Sequence, residues 1–162
     1  MKKIAKFAGI AMSAVAAVAL FPGTSVAAPN FPTKLVDNWN WKCLEVENSS
    51  SSNGAKVQMW SCGEQAGAKW KFVPSGNGYY IVNANSGKCL EIADSRTDNG
   101  APAQQWDCVG IDTQRWYLAD SMIINGNSRK VLEVNNGSSD NGARVQQWDN
   151  SNLKWQRWSY GN

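Results

Sequence analysis
The chain has 162 residues, with 16 Lys plus Arg against 13 Asp plus Glu and no histidine. That length allows one domain, and the missing histidine removes Ser-His-Asp and Cys-His catalysis and any His-ligated metal. Nine Trp, 14 Gly and only 18% charged residues describe an aromatic, loop-rich chain, not a disordered tail or an amphipathic helical bundle.

In chain order, Lys2, Lys3 and Lys6 come first, followed by an apolar and small-residue stretch from Phe7 to Phe21, Pro22, Gly23 and Ser25-Val26-Ala27-Ala28. A basic start, a short apolar middle and small residues at a cut site predict a secretory signal peptide over residues 1–27, and hence an extracellular protein. Fifteen such positions are too few to span a bilayer comfortably, so no membrane span is expected. Cleavage is expected after Ala27, because a cut after Ala28 would leave Pro29 first. Residues 28–162 then carry 13 basic and 13 acidic residues. This formally neutral domain has no bulk charge with which to bind nucleic acid or another polyanion.

Residues 28–162 repeat themselves. Lys42-Cys43-Leu44-Glu45-Val46 matches Lys88-Cys89-Leu90-Glu91-Ile92 and Lys130-Val131-Leu132-Glu133-Val134, in steps of 46 and 42 residues. The same steps connect Trp60, Trp106 and Trp148; Trp70, Trp116 and Trp158; and Asn53-Gly54, Asn99-Gly100 and Asn141-Gly142. Upstream, Lys34-Leu35-Val36-Asp37 matches Tyr80-Ile81-Val82-Asn83 and Met122-Ile123-Ile124-Asn125. The units run over about 32–77, 78–119 and 120–161.

Each unit reads as four short strands. In the second they are predicted over about Tyr79–Asn83, Lys88–Ile92, Ala103–Cys108 and Gln114–Leu118, rich in β-branched and aromatic residues and separated by Gly, Asn, Asp and Ser. The Asn-Gly pairs suit tight turns with positive φ. No helical apolar period is sustained beyond the leader. Three four-stranded units predict an all-β chain with pseudo-threefold symmetry. They are too few for a propeller, which typically has four or more blades, so a β-trefoil is expected.

Four cysteines in a secreted chain imply disulfides, in one of three pairings. The repeat selects Cys43–Cys62 and Cys89–Cys108, equivalent pairs each 19 residues apart; the third unit has Val131 and Asn150 at the matching places. No C-x-x-C spacing supports a metal site.

Strand alternation puts Gln58, Trp60 and Cys62 on one face and Cys43 and Glu45 on one face, which a Cys43–Cys62 bridge would bring together. Glu45, Gln58 and Trp60 would then share a side, with Leu44, Val46 and Val57 in the core. Glu91, Gln104 and Trp106 form the second set, and Glu133, Gln146 and Trp148 the third. An indole offers a flat apolar face to the C–H side of a pyranose, and a carboxylate and an amide bond its hydroxyls. Alternation turns Gln105 and Gln147, at the Met59 position, inward. Trp70, Trp116 and Trp158 are expected in the core. Trp39, Trp41 and Trp155 break the repeat, as an added binding surface or as local packing.

The runs Gln58-Met59-Trp60, Gln104-Gln105-Trp106, Gln146-Gln147-Trp148, Gln114-Arg115-Trp116 and Gln156-Arg157-Trp158 resemble the QxW repeats of ricin B-chain-type lectins, as do the Lys-Cys-Leu-acid runs and the cysteine spacing. The resemblance covers about residues 32–160. It implies a β-trefoil that binds galactose-type or other sugars without calcium or any cofactor, often as a module of glycosidases or toxins. The family's carboxylate, usually Asp, falls on Glu45, Glu91 and Glu133, and its stacking aromatic on Trp60, Trp106 and Trp148, with Gln58, Gln104 and Gln146 alongside. The family's Asn-Gln pair falls on Gly67-Ala68, Thr113-Gln114 and Trp155-Gln156. The Asn is absent throughout and the first unit lacks the Gln too, so the second and third units are the better candidate sites.

The leading expectation is a secreted, non-catalytic lectin whose partner is a glycan or polysaccharide. The alternative is a protein-binding trefoil, a hydrolase inhibitor or an accessory subunit of a toxin or enzyme. A two-carboxylate glycosidase is disfavoured because the repeated acids belong to separate units.

Overall fold
Short β-branched and aromatic runs, interrupted by Asn, Asp and Gly, fold into twelve strands in the computed structural model, which describes residues 28–161. The predicted signal peptide lies outside the described residues. The strands are β1 (Lys34–Asp37), β2 (Cys43–Val46), β3 (Val57–Trp60), β4 (Trp70–Ser75), β5 (Gly78–Asn83), β6 (Cys89–Ile92), β7 (Ala103–Trp106), β8 (Arg115–Ala119), β9 (Met122–Asn125), β10 (Val131–Val134), β11 (Ala143–Trp148) and β12 (Trp158–Gly161). The four strands of the second unit fall within two residues of their predicted bounds. Lys88 lies before β6 because its carbonyl closes the preceding turn, accepting from Asn83 N–H at 2.8 Å.

Strand β1 pairs with β12, β4 with β5, β5 with β8 and β8 with β9, all antiparallel. A Thr33–Trp70 bridge links β1 to β4, and Trp158 N–H donates to Ser121 O at 2.7 Å to link β12 to β9. These six strands close a barrel, which leaves no free edge. The hairpins β2–β3, β6–β7 and β10–β11 meet one another through β3–β11 pairing and the single bridges Lys56–Gln104 and Pro102–Gln146. A six-stranded barrel capped by three mutually paired hairpins is a β-trefoil, as expected.

The core repeats in threes: Leu35, Ile81 and Ile123 from the barrel, and Leu44, Leu90 and Leu132 from the caps, are buried. Trp70, Trp116 and Trp158 are buried as predicted, and each indole N–H donates to the carbonyl of Leu44, Leu90 or Leu132 at 2.9–3.0 Å. A buried indole needs such an acceptor, and here it ties each barrel strand to its cap.

The Asn-Gly turns have left-handed glycines (Gly54 φ 76, Gly100 φ 84, Gly142 φ 83). The paired asparagines join neighbouring units. Asn53 exchanges two hydrogen bonds with Asp107, Asn99 does the same with Asp149, and Asn141 Oδ1 accepts from Ser61 N–H. Both predicted disulfides are present, Cys43–Cys62 and Cys89–Cys108.

Alternation correctly turns Met59, Gln105 and Gln147 inward. Gln105 accepts from Ser86 Oγ (2.7 Å) and donates to the Ser50 and Ser52 carbonyls; Gln147 accepts from Ser128 Oγ (2.6 Å) and donates to the Arg96 and Asp98 carbonyls. Met59 cannot donate, and Asn40 Nδ2 supplies the equivalent bond to Ser138 O at 2.9 Å.

Candidate functional site
The cap hairpins place each acid opposite an amide: Glu45 pairs with Gln58 across β2–β3, Glu91 with Gln104 across β6–β7, and Glu133 with Gln146 across β10–β11. The amide donates to Oε1 of its acid at 3.2, 2.8 and 2.9 Å respectively. Two residues on, Trp60, Trp106 and Trp148 end these strands and are 38, 40 and 38% exposed. The acids themselves are buried, at 6, 6 and 4% exposure. They are shielded acceptors and not solvated surface charges, and each sequence-predicted trio comes together.

Beyond this common plan the units diverge. In the second, Gln114 Nε2 donates to Glu91 Oε2 and to Asp107 O, both at 2.8 Å, while its Oε1 accepts from Val109 N–H. In the third, Gln156 donates to Glu133 Oε2 (2.8 Å) and Asp149 O and accepts from Ser151 N–H. Each fully buried glutamine therefore holds its carboxylate and the loop that walls the site. With both oxygens fixed by amides, the remaining lone pairs of the carboxylate are aimed and available.

The first unit has Ala68 at this place, and Gln65 bonds the loop instead, through Ser61 O. Glu45 keeps one amide donor, and Gln58 Oε1 is buried without a partner among the described residues. Burial raises the Glu45 carboxyl above the ordinary range, the Gln58 amide opposes this, and the nearby Glu47 charge adds to it.

The second and third sites open into clefts. The second, of about 220 Å³, is lined by Glu91, Asp94, Ser95, Gln104, Trp106, Val109 and Ile111. The third, of about 180 Å³, is lined by Glu133, Asn136, Trp148, Leu153 and Trp155. Among the described residues no group of three or more His, Cys, Asp or Glu is placed to hold a metal ion, and no helix is long and apolar enough to cross a membrane.

The repeated Trp/Gln/carboxylate constellation on a trefoil matches a known family. The family described as "Ricin-type beta-trefoil lectin domain-like" matches residues 33–106, 66–148 and 112–161. The chain belongs to this family.

Among solved structures this ricin-type trefoil is similar to ThreeFoil, a designed threefold-symmetric protein, with TM-score 0.77, 33% identity and coverage of 81% of this chain and 98% of the other. It is also similar to 1,3Gal43A, an exo-β-1,3-galactanase from Clostridium thermocellum, with TM-score 0.77, 26% identity and coverage of 82% of this chain but 30% of that one. Among curated proteins, the ribosome-inactivating protein PMRIPt of Polygonatum multiflorum is 33% identical over 45 residues, which is 28% of this chain and 8% of the relative. The ricin-type chain thus spans a small part of that relative's length.

The comparison between units also reveals lining residues that pattern reading missed. Asp94 and Asn136 sit at equivalent places just after β6 and β10 with left-handed backbone (φ 56 and 52), and Val109, Ile111 and Leu153 come from the loops that Gln114 and Gln156 hold. Asp94 and Asn136 follow the repeated Glu by three residues, a spacing legible in the repeat.

Trp39, one of the three unmatched indoles, stands where Asn85 and Asn127 donate to the Ser49 and Ser95 carbonyls. Its Nε1 makes the equivalent bond to Gly137 O at 3.0 Å, while its ring meets Trp155 edge-on at 6.1 Å. Trp39 therefore packs locally and Trp155 lines the third cleft.

Proposed function
We propose that the protein is a secreted, non-catalytic, calcium-independent lectin that binds neutral sugars at the clefts of its second and third units. The observation that carries this reading is the clamped carboxylate beside an exposed indole, Glu91 with Gln104, Gln114 and Trp106, repeated as Glu133 with Gln146, Gln156 and Trp148. Two neighbouring sugar hydroxyls donate to the free lone pairs of the carboxylate, and the C–H face of the ring stacks on the indole. Three features support a binding role without chemistry: the chain has no histidine, each acid is committed to amides within its own unit, and the family is one of lectin domains. Secretion rests on the predicted signal peptide and on the two disulfides.

A shallow site with one stacking indole binds at about millimolar strength, roughly −4 kcal/mol. Two sites on one rigid body gain avidity on a repeated glycan. Similarity to a β-1,3-galactanase makes β-1,3-galactan and galactose the first probes, and N-acetylgalactosamine joins them as another galactose-type sugar. Titration of residues 28–162 with these sugars, with and without chelator, tests the reading: saturable binding that survives chelation and moves the Trp106 and Trp148 indole signals supports it. A blank response at about 50 mM sugar overturns it.

A second reading, docking of a protein partner, is favoured by Trp41. This indole is 70% exposed and holds left-handed backbone (φ 59), where the second unit has Gly87. Such backbone costs about 1 kcal/mol in a non-glycine residue. Trp41→Gly is expected to stabilise the fold by about that amount while leaving sugar binding intact. Loss of sugar binding in this variant would place Trp41 in the lectin site instead.

A further inference from the structure
The turn after the first barrel strand carries a carboxyl group where the repeat otherwise carries an amide. Asp37, Asn83 and Asn125 are equivalent and fully buried. Each uses Oδ1 in the same way, accepting from the backbone N–H groups two and three residues ahead: Trp39 and Asn40, Asn85 and Ser86, Asn127 and Ser128. The other side-chain atom differs. Asn83 Nδ2 donates to Gly67 O and Asn125 Nδ2 to Thr113 O, both at 2.8 Å. The carbonyl equivalent to these, for Asp37, is that of Trp155. Asp37 Oδ2 is buried and has no partner among the described residues. A carboxylate oxygen facing a carbonyl is repelled, and only the acid form has a proton to donate.

We propose that Asp37 is a positioning residue for the third cleft: as the acid, its Oδ2–H donates to the Trp155 carbonyl and holds that indole as a wall of the site, and loss of the proton to solvent releases it. The proposal rests on reading the clefts as sugar sites, and it makes the third site pH-dependent while the second is not, because there the equivalent carbonyl, that of Thr113, is held by the Asn125 amide. Asp37 also seats Trp39 through its backbone N–H, and the Trp39 ring packs edge-on against Trp155 at 6.1 Å, so the walling indole and the indole that buttresses it depend on one carboxyl.

Burial raises the Asp37 carboxyl from 3.8 to about 6, against the lowering effect of the Asn40 and Trp39 N–H donors. Of the titratable groups on the elements packed around it, Lys34 on β1 is bonded to Glu64, and Asp140 accepts from Ser138. Lys42 reaches Ser61 and Asn141, Glu45 is bonded to Gln58, and Lys154 sits 5.7 Å from the Trp39 ring. Arg157 turns to Asp120 O and Asn152, and the Tyr160 ring packs against Phe72. None of them bonds the Asp37 carboxyl.

The test is an NMR titration of residues 28–162 from about pH 4.5 to about pH 7.5, following the Asp37 carboxyl carbon and the Trp106, Trp148 and Trp155 indole signals, first free and then with N-acetylgalactosamine. The expected result is a Trp155 transition centred near the Asp37 midpoint and absent at Trp106. Affinity at the third cleft should fall about fivefold across it, the worth of one hydrogen bond. Asp37→Asn, which copies the other two units, should abolish the transition and fix the acid-side signal and affinity; Asp37→Ala should abolish it and fix the alkaline side. A Trp155 signal that does not change with pH, or that still titrates in Asp37→Asn, overturns the proposal whatever the clefts bind. A Trp155 transition with no sugar bound at either cleft supports the proton switch and overturns the lectin reading.

Discussion
The first unit and the second carry the same glutamate on the same cap strand, bonded to the same cross-strand glutamine, yet only in the second does a further glutamine clamp that acid. The difference is one residue in the loop before the last tryptophan. Gln114 donates to Glu91 and to Asp107 O and accepts from Val109, so one side chain fixes both the acceptor and the wall of a cleft. Ala68 does none of this, and Gly67 beside it cannot carry a larger residue, since a Cβ there would lie 2.8 Å from Val46 O. The third unit keeps the glutamine but has no disulfide, and its cleft is intact. The amide clamp, not the disulfide, therefore sets the second and third units apart from the first.

The largest expected effect concerns the paired indoles. Trp106→Ala with Trp148→Ala should abolish sugar binding, whereas Trp60→Ala should leave it unchanged, because its unit lacks the clamp; calorimetric titration of both variants decides. If Trp60→Ala also removes binding, the first site is competent and the contrast between units fails.

Next comes the bridge. Cys89→Ala with Cys108→Ala gives the second unit the covalent state of the third, and should lower unfolding stability by about 3 kcal/mol in denaturant titration, from the entropy of the closed loop. Binding at Trp106 should survive in the folded protein.

Gln156→Ala should cost about 1–3 kcal/mol of stability, because it leaves the buried Glu133 with one amide donor and the Ser151 N–H without its acceptor. It should also weaken the third site about tenfold, making it resemble the first. Unchanged affinity would mean that the clamp is only structural.

The smallest effect belongs to Glu45. A folded-state carboxyl raised above its unfolded value adds stability below the unfolded value, which is lost as pH rises through the folded one. Glu45→Gln should therefore be more stable than the parent at neutral pH, with the gap closing in acid, as thermal melts at several pH values would show. A gap that widens in acid would mean that Glu45 is stabilised as the anion.

Much of this was legible because duplication writes each constraint three times. The steps of 46 and 42 residues gave the units, the barrel tryptophans and the cysteine pairs, and period-two alternation placed Glu45 with Gln58 and turned Gln105 inward. What pattern could not give were the compensations between positions distant in sequence. Nothing local in Met59 says that Asn40 will supply the donor that Gln105 and Gln147 supply in their own units. Nor does Trp39 announce that its indole N–H replaces an asparagine amide 98 residues away from its acceptor.

The sequence alone determined the three-unit all-β trefoil, its two bridges and the acid, amide and indole of each candidate site, because those follow from periodicity and spacing within a unit. Only the tertiary structure decided which acids a second amide clamps, that the acids are buried acceptors, and that Asp37 Oδ2 is buried without a partner among the described residues. These depend on loops and on contacts across the seam between the first and third units. A hydrogen bond there, such as Trp39 Nε1 to Gly137 O or Asn40 Nδ2 to Ser138 O, is fixed by a distance of about 3 Å between residues 98 positions apart.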